Sequence, residues 1–364
     1  MTAMTVIVDL QFGSTGKGLI AGYLSQKKEF DTVVSANMPN AGHTFVDARG
    51  KKWINKVLPS GLYSPSLTYV GIGPGAVFDP AQLVKEIDEM RERINTDPQI
   101  LIHECAAILL PEHKEAEQKL NPIASTMQGS AEACIQKMRR EGIGSNVAGL
   151  SPEYLGTFFT NRGEPLTQFL VTSQQWFDLM LLSDNILCEG SQGYSLGINA
   201  GFYPYATSRD CTVNRLLSDC ALPPTSLKTV VGTARVHPIR VGNTNGGNSG
   251  PHYRDQVETS WSEIGVEPEM TTVTGRVRRV FTFSEMQVRE AMTMNAVDRV
   301  FLNFCNYEPA EAIRVAKIIN AFGSEVYARR GLGAWAGDYH PQVVRYLGFG
   351  PKAEHIMEVD GYTG

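Results

Sequence analysis

The sequence predicts an α/β protein in which helices flank a mainly parallel central sheet and a variant P-loop follows the first strand. Three observations predict it. Short apolar runs alternate with helical patterns along the chain, as strands joined by crossover helices require. The first such run, Val6-Ile7-Val8, leads into the glycine-rich stretch Gly13-Ser14-Thr15-Gly16-Lys17-Gly18. Finally, 42% of the 364 residues are hydrophobic, enough for a sizeable core in one large or two ordinary domains.

Strands are expected at Thr5–Leu10, Asp31–Ala36, Leu67–Ile72, Gln99–His103, Asn185–Cys188, Thr229–Val236, Arg299–Phe304 and Glu325–Ala328. Between them, Asp79-Pro80 reads as an N-cap followed by proline at the first helical position, ahead of the amphipathic Leu83-Val84-Ile87-Met90. Pro111 opens another short helix, and Glu308–Ile319 forms a further one. The polar, glycine-rich Asn243–Gly250 reads as a mobile surface loop, because α/β patterning continues on both sides of it. One domain over residues 1–364 is therefore expected.

The formal net charge is −5, which argues against non-specific nucleic-acid binding, since that needs clustered Lys and Arg. No run approaches the roughly 20 apolar residues of a membrane span, and Met1–Asp9 lacks the features of a signal peptide. A cytoplasmic protein is expected. Six cysteines, at 105, 134, 188, 211, 220 and 305, are widely spaced and form no C-x-x-C pair. They read as reduced thiols.

A glycine-rich turn between strand and helix lets backbone N–H groups approach phosphate oxygens, and the helix dipole and Lys17 add positive charge there. It is not a standard Walker A loop, because only Ser14 and Thr15 separate Gly13 from Gly16. Asp9, just before it, reads as structural. A second polar loop, Asn37-Met38-Pro39-Asn40-Ala41-Gly42-His43-Thr44, follows the next strand. Loops beyond the carboxyl ends of neighbouring strands converge on one crevice. His43 is thereby a candidate acid or electrostatic partner for a transferred phosphoryl group.

Six segments in order, Q-F-G-S-T-G-K-G, N-A-G-H-T, L-P-S-G, E-G-x-Q-G (Glu189–Gly193), Y-P-Y-x-T-S (Tyr203–Ser208) and T-G-R-x-R-R (Thr274–Arg279), resemble the motifs of adenylosuccinate synthetases over at least residues 5–285. The resemblance implies a ligase that phosphorylates the 6-oxygen of a purine 5′-monophosphate and then displaces the phosphate with the amine of L-aspartate. It also implies Mg2+ and a homodimer.

Two departures bear on the substrates. The family's first loop normally reads G-D-E-G-K-G, with its Asp as base at purine N1 and magnesium ligand, whereas this chain has Ser14. A hydroxyl is a poor base near neutral pH. It is also small and uncharged, leaving room for an exocyclic 2-amino group to which it can offer an acceptor. This resembles the phage branch of the family, which acts on dGMP. The family's Asp that holds the guanine of GTP aligns with Asn306, so ATP or dATP is the expected donor.

The resemblance further implies that Gly13, Ser14, Thr15, Gly16, Lys17 and Gly18, with Gly42, His43, Thr44 and Asn306, bind the donor nucleotide, and that Ser14 and the Gly42 carbonyl face Mg2+. Ser14, Lys17, His43 and Gln192 are the implied catalytic set. Asn40, Ser125, Thr126 and Thr207 match positions that bind the purine nucleotide, and Arg139 or Arg140 matches an arginine that reaches a partner's nucleotide. Thr274, Arg276 and Arg278 match the aspartate loop, in which paired guanidinium groups suit a dicarboxylate, and Val273 of that loop stands where the family often has another threonine. The proton acceptor at N1 stays open between substrate aspartate, a phosphate oxygen and a water held by Ser14. Two alternative functions also stand: an ordinary adenylosuccinate synthetase using IMP and GTP, and an inactive purine-nucleotide-binding regulator.

Overall fold

In a computed structural model, residues 2–120, 126–142, 144–244, 247–271, 275–329 and 342–359 are described, apart from the side chains of 119–120 and 324–329. Among the described residues, ten strands form the main sheet. In chain order they are β1 (Ala3–Asp9), β2 (Thr32–Ser35), β3 (Tyr69–Ile72), β4 (Gln99–His103), β5 (Leu170–Val171), β6 (Asn185–Glu189), β7 (Leu227–Arg235), β8 (Arg299–Asn303), β9 (Val344–Gly348) and β10 (Ile356–Glu358). Their spatial order is β10-β9-β8-β7-β1-β6-β2-β3-β4-β5. Every pairing is parallel except that of β9 with β10.

The sequence of β1 explains its central place. Six of its seven residues are buried, as a parallel strand covered on both faces requires. Leu19, Ile20 and Leu24 of α1 (Lys17–Lys27) and Leu83, Ile87 and Met90 of α2 (Pro80–Arg93) join the strands in one hydrophobic core. Each such fully buried side chain contributes roughly 1.5–3 kcal/mol. Helix α2 starts as its sequence predicts, with the Asp79 carboxylate accepting from the amides of Ala81 and Gln82. Pro111 likewise opens α3 (Pro111–Leu120).

The expected strand Glu325–Ala328 is instead the last part of α4 (Pro309–Arg329). Its apolar run is too short to distinguish strand from helix, and the helical pattern begun at Pro309 simply continues. The next strand of the sheet is β9, packed beside β8. In the expected surface loop Asn243–Gly250, Asn243, Thr244 and Asn248 are exposed, and the last two residues are buried. Ser249 is buried, and its carbonyl accepts from Arg240 Nε at 2.8 Å. All six cysteines are free thiols. Among the described residues, no helix is long and apolar enough to cross a membrane.

Candidate active site

The carboxyl ends of β1, β6, β2, β7 and β8 deliver their loops to one rim of the sheet, as open α/β folds do. The turn after β1 is the most constrained. Gly13, Ser14 and Gly16 all have positive φ (93°, 55° and 98°). A Cβ on Gly16 would run into the side-chain amide of Asn303, and the positive φ is the conformation that favours glycine there.

Asp9, at the end of β1, organises this turn rather than merely preceding it. Its Oδ1 accepts from the amides of Gln11 (2.8 Å) and Gly13 (3.2 Å). Its Oδ2 accepts from the Thr15 hydroxyl and from Lys17 Nζ at 3.2 Å. Lys17 is 5% exposed and also donates to the Gln192 carbonyl at 2.6 Å. One buried carboxylate therefore fixes the loop and aims the lysine at the start of α1. Sequence reading placed Asp9 as structural; its only signal was its position at the strand end.

His43, expected in a loop after β2, instead opens the short strand His43–Val46, which pairs antiparallel with Lys52–Asn55. Its Nδ1 is 2.6 Å from Glu189 Oε1, while the other carboxylate oxygen accepts from the Ser60 amide. A carboxylate only accepts, so Nδ1 carries the proton. Nε2 is buried without a partner and is the ring atom left to act on a ligand. Glu189 was missed as a functional residue even though it opens the E-G-x-Q-G motif.

Gln192, in the same motif, has a φ of 57°. Its Nε2 donates to Asn40 Oδ1 at 2.6 Å, and Asn40 Nδ2 donates to Thr207 Oγ1 at 3.2 Å. The structure thus joins three residues predicted separately. Gly18 packs beneath this rim, where a Cβ would lie 2.9 Å from the Thr44 carbonyl. Gly42 is exposed beside it.

The opposite wall carries arginines. Arg278 Nη1 donates to Ser14 Oγ at 2.5 Å, and the indole of Trp261 holds the Arg278 carbonyl at 2.8 Å. Burial lowers the Arg278 pKa from its ordinary value. Arg276 Nη1 donates to the Gly242 carbonyl at 3.1 Å. Arg235, fully buried, donates to the Ser14 carbonyl at 3.3 Å and pairs with Glu269. Burial pushes the Glu269 carboxyl up, but Arg235, Arg278 and the Tyr307 hydroxyl together hold it below the ordinary range. Burial and the Glu269 charge push the Tyr307 hydroxyl, which donates to Glu269, up to about 12. Neither Arg235 nor Glu269 was singled out from sequence.

Asn306 is exposed just past β8, where Phe304 takes a φ of 60° with the Arg235 guanidinium 3.9 Å from its ring. Thr126 is half-buried, its carbonyl accepting from Gln128. Arg140 is exposed at the C-terminal end of the helix Ser130–Arg139. Ser125, Val273 and Thr274 lie outside the described residues.

A family model described as adenylosuccinate synthetase matches residues 6–150 and 150–329. The chain belongs to the adenylosuccinate synthetase family. It is 44% identical to the N6-succino-2-amino-2'-deoxyadenylate synthase of Vibrio phage phiVC8, over 98% of both chains. Its structure is similar to that of the cyanophage S-2L succinoaminodeoxyadenylate synthetase bound to dGMP and dATP. That match has a TM-score of 0.84 and 36% identity over 98% of this chain and 95% of that one. The fully ligated adenylosuccinate synthetase of Plasmodium falciparum shares the fold, with a TM-score of 0.74 at 18% identity and coverage of 98% and 99%.

Within the family's fold, Ser14 stands at the exposed tip of the first loop, covered only in part by Arg278. Asp9 does not replace the carboxylate missing there, because both its oxygens are already engaged by donors.

Proposed function

We propose that the chain is a magnesium-dependent ligase that joins L-aspartate to C6 of dGMP. ATP or dATP would serve as phosphate donor, and the products are N6-succino-2-amino-2'-deoxyadenylate, phosphate and the diphosphate of the donor. The observation that carries the guanine assignment is Ser14. Its short, uncharged side chain accepts from Arg278, an obligate donor, so the hydroxyl keeps its proton and one further lone pair. An exocyclic 2-amino group can donate to that oxygen. The phiVC8 and cyanophage relatives, named for this product and for dGMP and dATP, support the same reading.

In the first step guanine O6 attacks the γ-phosphorus, the donor diphosphate leaves, and N1 loses its proton. Gly13, Thr15, Gly16, Lys17 and Gly18 cradle the donor phosphates, with Lys17 neutralising charge on the transferred group. Such transition states are stabilised chiefly by positioning and cationic charge. The N1 proton goes to substrate aspartate, a phosphate oxygen or a water on Ser14. Asp9 is too fully hydrogen-bonded to take it.

In the second step the aspartate amine attacks C6, and phosphate departs with the original O6. His43 Nε2 and the Gln192 amide act on the 6-phosphoryl oxygens. Arg276 and Arg278, with Val273 and Thr274, receive the aspartate carboxylates. Asn40, Ser125, Thr126 and Thr207 hold dGMP, Arg140 reaches across a homodimer to the partner's nucleotide, and His43, Thr44 and Asn306 border the donor.

Mg2+ would neutralise the donor phosphates. The rim fits an ion held mainly by phosphate oxygens, because Gly42 is exposed there with its carbonyl as an oxygen donor, while the remaining lone pair of Ser14 is taken by the 2-amino group. Among the described residues no cluster of three His, Cys, Asp or Glu exists that could hold a metal without them. If the phage reading holds, the reaction runs in the host cytoplasm.

Aspartate-dependent phosphate release, crossing dGMP, GMP and IMP with ATP, dATP and GTP and identifying products by mass spectrometry, tests this reading. Succinylated product from dGMP and an adenine donor is expected. Turnover of IMP with GTP alone, or binding without turnover, would contradict it.

A further inference from the structure

Gln192 and Asn40 can meet a purine only if their amides face the correct way, and a side-chain amide turned through half a circle exchanges donor for acceptor. Their hydrogen bonds run in a chain. Ser191 Oγ donates to Gln192 Oε1 at 3.1 Å, Gln192 Nε2 to Asn40 Oδ1 at 2.6 Å, and Asn40 Nδ2 to Thr207 Oγ1 at 3.2 Å. What fixes the direction is the group before Ser191. Arg209 Nη2 donates to Ser191 Oγ at 2.5 Å.

We propose that Arg209 is a positioning residue for the reaction, setting the donor direction of the Ser191-Gln192-Asn40-Thr207 chain so that Gln192 presents N–H and Thr207 its hydroxyl proton to the nucleotide. A guanidinium has no acceptor. Ser191 must therefore take the Arg209 hydrogen and spend its own on Gln192, which commits Oε1 as acceptor and Nε2 as donor, and the same logic passes to Asn40. Arg209 is built to hold this place. It is 5% exposed, and Nη1 pairs with Asp219 Oδ2 at 3.1 Å, while Arg215 Nε holds Oδ1 at 2.8 Å. Nη2 also donates to the Ala36 carbonyl at 2.6 Å, at the root of the loop that carries Asn40. One side chain thus ties together the two loops whose amides must agree. Gln192, in a left-handed conformation that non-glycine residues seldom adopt, is otherwise held on its backbone by Lys17.

This rests on the reading in which Gln192 faces the purine, and the test separates the two. Ser191→Ala removes the relay but leaves the Arg209–Asp219 pair intact. With dGMP, aspartate and ATP, it should lower kcat about tenfold, keep KM for ATP within about twofold and keep the thermal midpoint near wild type. The double variant Ser191→Ala/Gln192→Ala should be no slower than Gln192→Ala alone, since a broken chain cannot be broken twice. Arg209→Lys, still only a donor, should keep kcat within about threefold, whereas Arg209→Gln should fall to the Ser191→Ala level. Ser191→Ala at wild-type kcat, or a defect that multiplies with that of Gln192→Ala, overturns the inference. Wild-type turnover by Gln192→Ala overturns instead the placement of Gln192 at the purine.

Discussion

Arg278 holds Ser14 through a 2.5 Å hydrogen bond from Nη1 to Oγ, joining the wall assigned to aspartate to the loop assigned to the purine edge. A carboxylate at position 14 would pair with the same guanidinium and project charge toward the base. Ser14 has a φ of 55°, which Asp tolerates better than most residues, so Ser14→Asp leaves the turn intact. Its kcat/KM for dGMP should fall relative to that for IMP by about tenfold or more, the worth of one misplaced polar group. Steady-state kinetics with the two nucleotides checks this, and an unchanged preference removes the size and charge argument.

Lys17 is the buried cation at the start of α1, shared between Asp9 and the Gln192 carbonyl. Lys17→Met should reduce kcat by about a thousandfold, as loss of a charge that stabilises a transferring phosphoryl group does. Binding of dGMP, followed by calorimetry, should change far less. A parallel loss of both would make Lys17 a structural residue.

Glu189 accepts from His43 and from the Ser60 amide at the same time. Glu189→Gln replaces one acceptor oxygen by an NH2 group, which must face either the His43 ring N–H or the Ser60 amide. Turnover should drop about tenfold or more through loss of ring orientation. His43→Ala should abolish most of the activity, and the double variant should be no slower than His43→Ala; a multiplicative loss would separate the two residues.

His103, at the end of β4, is 4% exposed and stacks edge-on to Trp176, with its Nδ1 accepting from the Cys105 amide at 3.0 Å. Burial lowers its pKa from 6.5 to about 4. The folded state therefore favours the neutral ring. Its contribution to stability is present above pH 6.5 and is lost as pH falls toward about 4, to a total of about 3 kcal/mol. Urea unfolding across that range should show a shallower pH dependence for His103→Gln than for wild type. Equal slopes would exclude the effect.

Most of the sheet was legible because parallel strands read as continuous apolar runs and because Asp79-Pro80 states a helix start outright. Glu325–Ala328 misled because a short β-branched and aromatic run fits a long helix equally well. In the site, the first glycine-rich loop was visible through its spacing and His43 through its place after the next strand, whereas Gln192, Thr207, Arg276 and Arg278 were visible only through the resemblance to the family's motifs. The roles of Arg235, Glu269 and Arg209 were not visible, because they are contacts between segments far apart in sequence, and such buried partners carry no local pattern; Asp9, whose partners all lie within its own turn, showed only as a polar residue at a strand end. Glu189 lay within a quoted motif, but its task depends on where His43 falls.

The most direct measurement follows one atom. If O6 is phosphorylated and then displaced by aspartate, dGMP labelled with heavy oxygen at the 6-position must deliver that oxygen to inorganic phosphate, one atom per succinylated product, and only when aspartate is present. Mass spectrometry of the phosphate and the nucleotide reads both. Labelled phosphate in step with product is the predicted result. Unlabelled phosphate, or phosphate released without a succinylated nucleotide, would contradict the proposed ligase chemistry.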